Sequence, residues 1–463
     1  MPQLPFGKHK QSAQRAAKTP RRSPIAILRQ AVEQWWERLY LLAFGKVALG
    51  DQARLYSSGK TGRDYIWNTV GQTLWGSLFP ILTVIATRLA GAEEAGRFTL
   101  AFTIATLLLY LGNYGVRTYQ VSDLDEMDSF AAYQIQRFIT CALMLLAGWA
   151  YCALRHYEGG MALISAGAFA YRALDALADV YEGRLQQMDK LYLAGVSLSL
   201  RTVTPLVVFT ITLLASKSLP AASISLAVSE LIVLLLVTLP LALLETPVSR
   251  PWQALEVKEL FRECFPAFAA MFLFSLIDTM PKFAMEGVLP YEDQVYYSAI
   301  YFPAQKALMA VGFIYKPQLV RLANFWQDPT KRARFDLIVL AMLGACVVIT
   351  VGMLLFAAIV GIPLASLLYA TDFEQFRMAQ YLMVIGGGLA AAIDFLFQIL
   401  TVLREQASAM RLYVVAFAFV ALAANALIRM LGFMGAIYSY VAVMAVLFTL
   451  LALQYVLVRV RSH

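Results

Sequence analysis

About twelve times between residues 66 and 457 the chain turns apolar for some twenty residues at a stretch. As a helix, each run is long enough to cross roughly 30 Å of hydrocarbon. The predicted spans are 66–88, 94–114, 136–155, 161–183, 192–215, 221–244, 265–288, 294–317, 337–360, 379–402, 409–430 and 434–457. Sixty per cent hydrophobic residues, 15% charged residues and a mean hydropathy of +0.64 place the chain outside the soluble class. The expected fold is an all-α integral membrane protein of about twelve transmembrane helices.

Charge is concentrated at one end. The first 64 residues hold 12 of the 38 Lys+Arg and 4 of the 30 Asp+Glu, so this segment carries the whole net charge of +8 and the rest is balanced. Such a tail beside a membrane domain predicts contact with anionic lipid headgroups, not nucleic acid. It does not read as a cleavable signal peptide, being polar and basic. Residues 25–55 repeat Leu28, Val32, Trp35, Leu39 and Leu42 at helical spacing. They predict an amphipathic helix lying in the interface or docked on the cytoplasmic ends of the bundle. With the N-terminus inside, cytoplasmic connections hold sixteen Lys+Arg against six in external ones, which places both termini in the cytoplasm. The predicted organisation is a cytoplasmic extension at 1–64, a six-helix lobe at 65–246 and a second at 247–463. A shift of about 200 residues lays Leu89 on Leu289, Phe102 on Phe302 and Gly112 on Gly312, as parallel repeats would.

Ionisable side chains inside the spans are the functional signal. Arg172, Asp175, Asp179 and Glu182 are spaced 3, 4 and 3 apart and share one helical face, and Arg201 falls in the middle of the next span. A charge at mid-bilayer costs about 2.5–3.5 kcal/mol on insertion scales, so such groups face a cavity or a partner. Lys282 and Lys306 are the other in-span cations. Asp278 lies four residues before Lys282, within pairing reach across Pro281, and Glu230 and Asp394 are further in-span carboxylates. Basic groups on a cavity would suit pyrophosphate or acidic sugars, whereas carboxylates among apolar walls can carry a proton. Asp175, Asp179, Asp278 and Asp394 are the candidates for proton or ion coupling. Arg117 and Lys316 end corresponding segments at the cytoplasmic face and are the candidate gate. The competing reading is a set of salt bridges holding helices in register.

Other chemistry finds little support. The four cysteines have no metal-ligand spacing, and the three histidines sit in tails or a loop, so neither a metal nor a cofactor is expected. Asp123-Leu124-Asp125-Glu126 resembles the D-x-D of glycosyltransferases, but Asp at a loop-to-helix junction more commonly caps. Connections of about twenty residues or fewer leave no room for a catalytic module.

The run from Asn68 to Asp123, closed by Gly115-x-Arg117, resembles the start of bacterial polysaccharide repeat-unit flippases of the multidrug/oligosaccharidyl-lipid/polysaccharide (MOP) superfamily. So do the stretch Asp179 to Gly183 and the segment Pro281 to Gly287. The resemblance covers residues 65–460. It implies a V-shaped bundle of two six-helix lobes in the bacterial cytoplasmic membrane, working by alternating access and coupled to an ion gradient. The cargo implied is an undecaprenyl-pyrophosphate-linked oligosaccharide for cell-surface polysaccharide, with polysaccharide-assembly proteins as partners. Arg172, Arg201, Lys282 and Lys306 would then meet its pyrophosphate or sugars in one cleft. A drug/cation antiporter of the same superfamily is the first alternative. A membrane glycosyltransferase or polymerase is the second.

Overall fold

The computed structural model describes residues 60–123, 126–315, 319–327 and 329–461. The predicted helix at 25–55, Lys316 of the predicted gate, and Leu124 and Asp125 of the D-x-D lookalike lie outside the described residues.

The helices that cross the bundle are α1 (Lys60–Ala90), α2 (Ala92–Asn113), α3 (Phe130–Leu154), α4 (Gly159–Gln187), α5 (Leu191–Ser216) and α6 (Leu219–Glu245) in the first half. The second half holds α7 (Ala254–Met285), α8 (Glu292–Tyr315), α9 (Arg332–Tyr369), α10 (Arg377–Val402), α11 (Gln406–Leu431) and α12 (Phe433–Arg461). Among the described residues, eleven helices are long and apolar enough to cross a membrane. The exception is α8, whose 24 residues suffice in length but include Gln294, Tyr296, Tyr297, Tyr301, Gln305 and Lys306. A helix this polar does not face lipid all round.

Two of the boundaries that differ from the sequence expectation do so for one reason. Hydropathy ends a span where charge begins, but Glu, Lys and Arg are good helix formers. Hence α1 is already helical at Lys60, the first described residue, rather than from 66, and α7 starts at Ala254, not 265, running through Glu256, Lys258, Glu259 and Arg262. The connection between halves shrinks from about twenty residues to residues 246–253. Short helices at Val116–Ser122 and Leu319–Gln327 occupy parts of the other two long connections.

Proline shapes α6 and α9 alike. In each, five residues form a wide π-turn (Leu234–Thr238 and Ala357–Gly361) ending two residues before a proline, Pro240 or Pro363. A proline ring clashes with the carbonyl four residues back and offers no N–H, and widening the turn relieves both. Pro80, Pro205, Pro281 and Pro303 instead sit inside continuous helices.

Each half is built around its fourth helix. α4 packs on α2, α3 and α6, while α10 packs on α8, α9 and α12. The two solve the packing problem differently. In α10, three consecutive glycines point about 100° apart, and each admits another helix. A Cβ would lie 2.5 Å from the Tyr440 ring at Gly386, 2.5 Å from Ala304 at Gly387 and 2.1 Å from Thr350 at Gly388. In α4 the buried face is charged instead. The α1–α5 crossing also depends on glycine, since a Cβ on Gly195 would stand 2.4 Å from the Trp67 carbonyl. Gly195→Leu is expected to cost about 1–3 kcal/mol or more by overpacking. This would appear as a lower unfolding temperature of the detergent-solubilised protein.

Candidate functional site

A cavity of about 130 Å³ lies between the halves. The first half contributes Phe79, Pro80 and Thr83 from α1 and Thr103, Thr106 and Tyr110 from α2. Facing them are Ser275, Asp278, Thr279 and Lys282 from α7, and Tyr297, Ser298, Tyr301, Phe302 and Gln305 from α8. The lining is mostly hydroxyl and aromatic, with one cation and one carboxylate. Such a surface can hydrogen-bond and stack on a sugar. Pockets that enclose drug-sized ligands measure roughly 300–1,000 Å³, so this cavity is smaller than those.

Asp278 and Lys282 both line this cavity but make no ion pair with each other. The Tyr301 hydroxyl donates to the Asp278 carboxylate at 2.7 Å. The Lys282 ammonium is 3.4 Å from the Thr103 hydroxyl and 5.7 Å from the ring centres of Phe79, Tyr297 and Tyr301. Rings at that range attract a cation through their quadrupoles without neutralising it. Lys282 is buried and, among the described residues, has no carboxylate within 4 Å of its ammonium.

The four basic groups expected to share one cleft are divided. Arg172 and Arg201 sit in a closed ion network inside the first half. Arg201 is its hub: Nε meets Glu182 at 2.8 Å, Nη1 meets Glu230 at 3.0 Å and also contacts Asp175. Arg172 pairs with Asp175 at 2.7 Å, and Asp175 also accepts from the Trp75 indole at 3.0 Å. All five charged residues are buried. Two guanidiniums are thus surrounded by three carboxylates, and the multiply bonded fork of Arg201 makes so dense an arrangement possible. The reason Arg172 misses the cavity is visible beside it. Its guanidinium lies 4.6 Å from the Phe102 ring, Phe102 stacks on Phe79 at 4.8 Å, and Phe79 is the cavity wall facing Lys282. Two aromatic layers separate the two cations. Lys306 is half-buried against Phe302, 4.7 Å from its ring, and outside the cavity lining.

The carboxylates are divided as well. Asp175 belongs to the Arg201 network, and Asp278 alone lines the cavity. Asp179 is clamped between Arg117 at 2.7 Å and Arg137 at 2.9 Å. Arg117, the described member of the expected gate pair, therefore ties to its own half. Asp394 accepts from the buried Tyr315 hydroxyl within the second half. In the D-x-D lookalike, Asp123 closes its loop, accepting from the backbone N–H groups of Met127 and Asp128 and the Tyr133 hydroxyl.

Sequence reasoning missed Arg137, which stands at the start of the predicted span 136–155 and is completely buried. It also missed the hydroxyl lining. The spacing of Thr99, Thr103, Thr106 and Tyr110, which keeps polar groups on one face of an apolar helix, was the signal available.

The two ends of the cleft differ. Toward the start of α1 the cavity line continues through Gly76, where an added Cβ would meet nothing within 4 Å, to the exposed Thr73, Gln72 and Thr69. At the other end the halves touch: Gly96 on α2 lies directly against the Tyr291 carbonyl, and Glu286 is held by residues near the α3–α4 turn.

No protein-family model matches the sequence, and no curated protein does. Solved structures match the fold. An inward-facing MATE multidrug-resistance transporter of the MOP superfamily superposes with a TM-score of 0.61 at 12% identity, over 85% of this chain and 98% of that one. The lipid II flippase MurJ in an inward closed conformation gives 0.62 at 10% identity, over 84% and 87%. A MOP transporter from Pyrococcus furiosus, described as having a binding pocket of reverse polarity, gives 0.53 at 13%, over 86% and 94%. The chain is a multi-pass membrane protein with the fold of MOP-superfamily transporters.

Proposed function

We propose that the protein is a flippase for polyprenyl-pyrophosphate-linked oligosaccharide repeat units. It would work by alternating access between lobes 65–246 and 247–463, in the bacterial cytoplasmic membrane with both termini inside. Lys282 carries the reading. An ammonium set among hydroxyls and rings, with no carboxylate in ion-pair range among the described residues, suits an anionic phosphate and disfavours a cationic drug. The surrounding Ser, Thr and Tyr groups suit the sugars, and the polyprenyl tail would remain in lipid. That one solved structure sharing this fold is a lipid II flippase supports the same class of cargo. The basic extension at 1–64 would rest on anionic lipid.

Asp278 in the same cavity favours a second reading, a cation antiporter of the kind represented by the MATE structures. One comparison separates the two. In cells lacking the gene, lipid-linked glycan is expected to accumulate on the cytoplasmic leaflet, and vesicles containing the protein should not concentrate a fluorescent cation. Cation uptake with unchanged glycan distribution would establish the antiporter.

A further inference from the structure

We propose that Glu286 is the latch that holds one end of the transport cleft shut, the end that the loop charges assign to the outside. The residue follows the last turn of α7, and its side chain is 4% exposed. Three donors converge on its carboxylate: the Tyr151 hydroxyl at 2.7 Å, the Tyr157 hydroxyl at 2.5 Å and the Arg155 guanidinium at 3.1 Å. All three belong to the first half, at the end of α3 and the turn into α4. Glu286 belongs to the second half, so every polar side-chain contact it makes crosses the cleft.

Local backbone aims it there. Met285 accepts from the N–H groups of Val288 and Leu289, and Gly287 takes φ +78°, so the chain reverses just after Glu286. The same reversal presses Tyr291 onto α2. A Cβ on Gly96 would stand 1.9 Å from the Tyr291 carbonyl oxygen, so only glycine allows the seam to close. A second tie lies nearby, where Arg88 donates to the carbonyls of Leu367 and Leu368 at 2.7 Å to the latter. By contrast, Arg97 pairs with Glu93 and Glu94 on its own helix.

The chemistry suits a latch rather than a permanent weld. Closed, the carboxylate has a guanidinium and two hydroxyl donors. Open, the carboxylate, the guanidinium and both phenols lie at the rim of the cleft, where water replaces each lost hydrogen bond. The net cost of opening is then small, unlike that of breaking a pair whose members stay buried.

The proposal takes from the transport reading only that the halves move apart; labelling follows the halves whatever the cargo. In a background with Cys141, Cys152, Cys264 and Cys346 replaced, Ser298→Cys places a thiol in the cavity and Glu158→Cys places one on the exposed rim. A membrane-impermeant maleimide is applied from the side on which the rim thiol reacts. Glu286→Gln and the double variant Tyr151→Phe with Tyr157→Phe are each expected to speed cavity labelling about tenfold, with rim labelling unchanged. Gly96→Ala, which wedges the seam, should also speed it and serves as the positive control. If Gly96→Ala speeds labelling while both latch variants leave it at the parental rate, Glu286 is not the latch. Lost transport of glycan with faster labelling keeps the latch, and faster labelling in a protein that moves no glycan would overturn only the cargo.

Discussion

Arg201→Leu is expected to remove most of the folded protein. Among the described residues, Arg201 alone contacts Asp175, Glu182 and Glu230 together, and it draws on α4, α5 and α6 at once. Without it, Asp175 keeps Arg172, but Glu182 and Glu230 remain buried with no cation. Leaving a buried charge unpaired costs about 3–5 kcal/mol, a large share of the 5–15 kcal/mol that stabilises typical proteins. The expected result is loss of the monodisperse peak on gel filtration in detergent. Arg201→Lys should not restore it, because an ammonium cannot bond three carboxylates in a fixed fork. Adding Glu182→Gln and Glu230→Gln to Arg201→Leu should recover much of the yield, since it leaves only the balanced Arg172–Asp175 pair and no unpaired buried charge. A full yield of Arg201→Leu alone would show that the network does not hold these helices together.

Lys282→Ala should behave in the opposite way. Lys282 forms no ion pair among the described residues, and Asp278 keeps the Tyr301 hydroxyl, so the folded yield should be close to that of the parent. A charge-assisted contact is worth about 1.5–3 kcal/mol, so loss of the ammonium should weaken binding of a pyrophosphate-bearing cargo by about ten- to a hundredfold. Lys282→Arg should retain most of it. These contrasting outcomes distinguish two buried cations that look alike in the sequence.

The reason they look alike explains how much could be read from the chain. Span number, and the presence of charge inside the bundle, follow from hydropathy and from the cost of ions in lipid, both local properties. The face shared by Arg172, Asp175 and Glu182 was legible for the same reason. The destination of that face was not, because it depends on where Arg201 and Glu230 arrive from neighbouring helices and on the Phe79–Phe102 pair between them and the cleft. Asp278 and Lys282 lie four apart, within pairing reach, but Tyr301 and Thr103 engage them separately. The α8 helix carried the clearest overlooked signal, since the low hydropathy that weakens it as a span is what a cavity wall requires. Glu286 lies in the segment Pro281 to Gly287 that the resemblance singles out, but its contacts were not legible, because its three partners lie about 130 residues away.

The role proposed for Lys282 is to receive an anionic lipid-linked glycan in the cleft. Its most direct measurement is the rate at which polyprenyl-pyrophosphate-linked oligosaccharide crosses the bilayer of vesicles containing parent, Lys282→Ala or Lys282→Arg protein, read by the accessibility of the glycan to an added lectin. The account predicts rapid crossing with the parent, most of it kept by Lys282→Arg and nearly all of it lost with Lys282→Ala at equal protein content. Equal crossing by Lys282→Ala and the parent, or none by the parent, would contradict it.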